Sequence, residues 1–123
     1  MGVGATRRPA ERAARLDRDR SGTVTEVLRH VVLFAWKADA SDVQVRGFAD
    51  GLAALPARIP EIRSYRFGPD LGLAGGNDDF ALVADFDDVE AYRRYAEHPA
   101  HRHLIAELLW PILGGRHAVQ YEL

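Results

Sequence analysis

Residues 28–37 (LRHVVLFAWK) constrain the fold more than any other part of the chain. They are rich in β-branched and aromatic side chains, which suit a pleated strand. Alternate residues of a strand point to opposite faces. One face here would carry His30, Val32, Phe34 and Trp36, and the other Val31, Leu33 and Ala35. Both are apolar. A sheet with one wet face needs a strand that alternates, so this strand belongs to a sheet covered on both sides.

The rest of the chain supplies one cover. Ser41 with Gln44 three residues on forms a capping box, and Val45, Phe48, Leu52, Leu55 and Ile59 follow at helical spacing. Pro56 and Pro60 end that helix. Residues 62–68 (IRSYRFG) read as a second strand. Residues 71–79, with paired Gly75 and Gly76, read as a loop. Residues 80–86 (FALVADF) read as a third strand. Asp87 and Asp88 are candidate caps for a helix through Val89, Tyr92, Tyr95 and Ala96. Pro99 interrupts it and starts another carrying Ile105, Leu108, Leu109 and Ile112. Gly114 and Gly115 read as a turn into a last strand, residues 116–123.

The order β-α-β-β-α-β predicts an α+β, ferredoxin-like fold with a four-stranded antiparallel sheet and helices on one face. The second apolar face of strands one and three, with Ala81 and Val83 on the latter, then needs another cover. The simplest is the same face of a second copy, a homodimer through the open sheet face.

Composition narrows the function. Cysteine is absent, which removes disulfides, thiolate metal sites and a cysteine nucleophile. The net charge of −2 is uneven: residues 1–25 hold six Arg against three acids, leaving −5 on residues 26–123. The first segment has few large apolar residues and reads as a disordered basic tail, and residues 26–123 as the folded domain. An acidic domain is a poor nucleic-acid binder, although Tyr65, Arg66 and Phe67 faintly echo an RNA-binding sheet. The longest uncharged apolar run, residues 31–36, is far short of the roughly 20 residues of a membrane span, and residues 1–25 hold no apolar stretch of the roughly 7–15 a signal peptide needs, so a cytoplasmic protein is expected. There is no nucleophile elbow, dinucleotide fingerprint or phosphate loop. His98, His101 and His103 cluster, but Pro99 breaks their register and no acidic triad stands nearby, so no metal site is expected.

What remains is acid–base work. Histidine titrates nearest neutrality, and Tyr95 precedes His101 by six residues across the Pro99 bend. His30, on the face of strand one shared with Val32 and Phe34, would reach the same cavity if that face meets the helices.

Four blocks then occur in order: His30-Val31-Val32-Leu33-Phe34, Leu55-Pro56-Ala57-Arg58-Ile59-Pro60, Ser64-Tyr65-Arg66-Phe67-Gly68-Pro69 and Tyr95-Ala96-Glu97-His98-Pro99-Ala100-His101. With them, residues 27–123 resemble the stress-responsive A/B barrel (Dabb) family. The resemblance implies a dimeric α+β barrel made of two ferredoxin-like sheets. The family includes stress-induced plant proteins without settled chemistry and a cofactor-independent plant polyketide cyclase that works by intramolecular aldol condensation. Matched to that cyclase, the base falls on His101, the assisting tyrosine on Tyr95 and a further pocket histidine on His30. Another of its pocket histidines falls near Phe80 and Ala81, where this chain has none.

The expected function is therefore a cofactor-free, cyclase-like enzyme acting on a small carbonyl-rich or polyketide-like substrate. Phe80, Leu82, Phe86, Leu104 and Leu108 are candidate pocket walls. The alternatives are a dimer that binds small apolar molecules without turnover, and a cofactor-free monooxygenase, hinted at by Trp36 and Trp110.

Overall fold

The computed structural model describes residues 27–123; the tail expected over residues 1–25 lies outside the described residues. Four strands, β1 (Leu28–Trp36), β2 (Ile62–Pro69), β3 (Phe80–Phe86) and β4 (Leu113–Glu122), form one sheet in the order β2-β3-β1-β4. Every neighbouring pair is antiparallel. Three α-helices lie between the strands: α1 (Asp42–Ala54), α2 (Val89–Glu97) and α3 (Pro99–Leu104). This is the ferredoxin-like fold.

Local chemistry sets each helix start. Ser41 Oγ accepts from the Gln44 amide at 3.1 Å, while the Gln44 side chain accepts from the Ser41 amide at 2.9 Å. Asp88 caps α2, accepting from the Ala91 amide at 2.8 Å, whereas its neighbour Asp87 pairs with Arg63. At the third start, His98 is extended, as a residue before proline prefers, and its Nδ1 accepts from the Ala100 amide at 3.0 Å. The helix faces bury Phe48, Leu52, Tyr95, Leu104 and Leu109 against Val32, Phe34, Leu82, Ala84 and Phe86 of the sheet.

Two expectations change at the C-terminal end. The helix after Pro99 is not uniform. α3 passes into a wide π turn over Ile105–Leu109, closed by Trp110 N–H donating to the Ile105 carbonyl at 2.9 Å. Gly114 and Gly115 also form no turn; they lie inside β4, beside a register shift at Ala35 and Trp36. A Cβ on Gly114 would stand 3.0 Å from the Trp36 carbonyl carbon and oxygen, so glycine is what lets the two backbones approach.

The central strands β1 and β3 explain the doubly apolar pattern. One face meets the helices. The other presents Val31, Leu33, Ala81, Val83, Val119 and Tyr121, with no element of the described chain over it; Val119 is 55% and Tyr121 47% exposed. Beside this open face, the β2–β3 loop and Leu33 enclose a groove of about 570 Å³. Among the described residues, no helix is long and apolar enough to cross a membrane.

Candidate active site

Strand register arranges the floor of the site. Tyr65 on β2 pairs with Ala84 on β3, Ala84 with His30 on β1, and His30 with Gln120 on β4. These four residues make one row across the helix-facing side of the sheet. Ala84 is its smallest member, and α2 places Tyr95 above the row. The Tyr95 ring packs on Phe86 with centroids 4.8 Å apart, and its hydroxyl meets the Tyr65 hydroxyl at 2.7 Å. Tyr92, three residues earlier on the same helix face, lies 5.0 Å from the His30 ring. Beyond the Pro99 bend, α3 brings the His101 ring to 4.3 Å from that of Tyr95.

His30, Tyr92, Tyr95, His101 and Arg116 border one cavity of about 70 Å³ between helices and sheet, otherwise walled by apolar side chains such as Phe48 and Leu82. Hydrogen bonds fix the two imidazoles in opposite senses. His101 Nδ1 lies 3.1 Å from the Ala96 carbonyl, which only accepts, so Nδ1 carries the proton and Nε2 keeps its lone pair. The Gln120 amide nitrogen donates to His30 Nδ1 at 2.8 Å, so the neutral His30 ring carries its proton on Nε2. One ring is thus a base and the other a donor.

Burial keeps both rings neutral. It lowers the His30 pKa to about 4, with the charges of Arg116 and His101 acting in the same direction. Burial also lowers His101, partly offset by its bond to Ala96. Tyr95 is pushed up to about 12 by burial, against which the Tyr65 hydrogen bond works. Tyr65 is raised by burial and by Tyr95, so within the pair Tyr65 is the firmer holder of its proton and Tyr95 the more acidic member.

The structure brings His30, Tyr95 and His101 to one cavity, with Leu82 and Leu104 on its walls. Three residues expected as walls lie elsewhere. Phe86 packs behind Tyr95. Phe80 packs on Phe34 and Phe48 and borders the open-face groove instead. Leu108 is 37% exposed and packs beside Gly51 of α1, on the seam between helices. Tyr65, Tyr92, Arg116 and Gln120 were not anticipated. For Tyr65, Arg116 and Gln120 the signal is the strand register, which no single segment contains; for Tyr92 it is the three-residue spacing to Tyr95 on α2. Trp36 packs on Phe34, Phe48 and Phe80, Trp110 is 58% exposed, and neither borders the cavity. No three His, Asp or Glu side chains gather into a candidate metal site among the described residues.

Fold and site define a ferredoxin-like α+β domain with a buried His–Tyr cavity. The model of the stress responsive A/B barrel domain matches residues 28–123, and the chain belongs to that family. An uncharacterised protein of Streptomyces coelicolor is 31% identical over 86 residues, 68% of this chain and 87% of that protein. A dimeric ferredoxin-like protein of unknown function from Thermobifida fusca superposes with a TM-score of 0.74 at 46% identity, covering 80% of this chain and 92% of that one. The hydroxynitrile lyase of Passiflora edulis has a TM-score of 0.73 at 20% identity, covering 81% and 95%, a likeness of fold alone.

Proposed function

We propose that the protein is a cofactor-independent acid–base enzyme acting on a small carbonyl compound. One observation carries this reading: a half-buried imidazole with a free Nε2 lies against a buried tyrosine in a cavity that also holds a second, proton-donating imidazole. His101 Nε2 takes a proton from the carbon next to a carbonyl. The C–H electron pair moves onto the carbonyl oxygen, and Tyr95 and the His30 Nε2–H stabilise the enolate. In an aldol step the enolate carbon attacks a second carbonyl, and the proton on His101 passes to the new alkoxide.

The cavity narrows the substrate. Ligand sites commonly span roughly 300–1,000 Å³, against about 70 Å³ here. A long linear polyketide would fit only if the helices moved off the sheet, so a short carbonyl compound suits the site better. The same small volume favours the second reading, a dimer that binds small apolar molecules without turnover. Deuterium uptake at the α-carbon of a simple ketone separates the two: turnover requires exchange that His101→Ala slows by about 10²–10⁴-fold.

The proposal includes a second copy over the open sheet face, closing an α+β barrel. It is supported by the apolar residues there and by the dimeric Thermobifida fusca protein.

A further inference from the structure

Arg116 borders the cavity yet has no part in the proton transfers above. It sits on β4 opposite Phe34, two residues along the helix-facing side from the strand position of Ala118 and four from Gln120, and it is exposed. Its charge reaches His30, His101 and Tyr95 alike. For the two histidines this influence is adverse, because a nearby cation weakens a base. Among the described residues, Arg29, Arg63, Arg93 and Arg94 each face a carboxylate, whereas Arg46, Arg58, Arg66, Arg102 and Arg116 do not, and of these Arg116 is the one that borders the cavity. Arg116 takes part in none of the ion pairs among the described residues, and no Asp or Glu borders the cavity. An exposed guanidinium at the border of a cavity that no carboxylate lines is open to an anionic group on a bound molecule.

We infer that the cavity takes a short oxo acid, its carbonyl beside His101 and Tyr95 and its carboxylate on the Arg116 guanidinium. The inference rests on the proposed acid–base function for the carbonyl half and on Arg116 for the anionic half. A guanidinium presents paired N–H donors that match a carboxylate. Size agrees: about 70 Å³ holds a few heavy atoms, by comparison with roughly 30 Å³ per liquid water. The reacting end fits inside while the carboxylate stays at the exposed rim. Binding also changes the base. A carboxylate on Arg116 cancels the charge that lowers His101, so His101 becomes more basic once substrate is in place.

Two oxo acids that differ in the spacing of carbonyl and carboxylate, 2-oxobutanoate and levulinate, test this against the charge-free 2-pentanone. Each is titrated into the full chain and followed by amide chemical shifts. At least one acid should bind about tenfold more tightly than 2-pentanone, the worth of one charge-assisted contact. Arg116→Gln should abolish that preference and Arg116→Lys should keep part of it. Equal binding of acids and ketone in the unmutated protein, a preference that survives Arg116→Gln, or acetate binding as tightly as both oxo acids would each overturn the inference. A lack of deuterium exchange would defeat the proposed reaction without altering this binding result.

Discussion

Three of the four polar rings that border the cavity have a side-chain atom fixed by a hydrogen bond. His101 spends Nδ1 on Ala96, His30 spends Nδ1 on Gln120, and Tyr95 shares its oxygen with Tyr65. Tyr65→Phe removes the hydrogen bond that partly offsets the rise burial causes in the Tyr95 pKa. Stability should drop by about 1–3 kcal/mol because the Tyr95 hydroxyl loses its partner. Exchange should slow roughly tenfold, with the alkaline limb of its pH profile moved upward. A purely structural Tyr65 would leave that limb in place. His30 makes a second prediction. Its folded pKa of about 4 lies below the ordinary value of 6.5, so the unfolded chain takes up the proton first as pH falls. The contribution is whole above pH 6.5 and is lost progressively down to about pH 4, roughly 3 kcal/mol in all. Denaturant midpoints at neutral pH and near pH 4.5 should differ less in His30→Gln than in the unmutated chain. His101 titrates below its ordinary value too, so exchange should be flat through neutrality and fall only on the acid side.

At the scale of elements, what was legible in the sequence had local causes. β3 runs Phe80–Phe86 as its alternation predicts, and α1 begins at the capping box of Ser41 and Gln44. The misread elements depend on distant partners. Gly114 looks like a turn residue until Trp36 is placed against it, and Leu108 looks like a cavity wall until Gly51 of α1 opens a berth for it. The same holds for the site: Tyr95 and His101 share one sequence block, whereas Tyr65 joins them only through the pairing of β2 with β3. Gly114→Ala should therefore cost about 1–3 kcal/mol, because its Cβ would meet rigid backbone at 3.0 Å. Asp88→Ala should cost about 1 kcal/mol through loss of the α2 cap, without changing the ratio of acid to ketone binding. Thermal melts and the titrations above check both.

For the whole molecule, a small domain with one uncovered apolar sheet face gains by pairing. Leu33 is 38% exposed on that face, so Leu33→Asp leaves the protomer core intact while placing charge in the proposed dimer seam. Sedimentation should show a dimer for the unmutated chain and a monomer for the variant. The melting temperature should rise with concentration only for the former. The central claim concerns what the cavity does, and deuterium uptake tests it most directly. In D₂O near pH 7.5, the protein should speed exchange at the α-carbons of levulinate, and His101→Ala should slow it by about 10²–10⁴-fold with its amide spectrum otherwise preserved. An exchange rate equal in the unmutated protein, in His101→Ala and in buffer alone would contradict it.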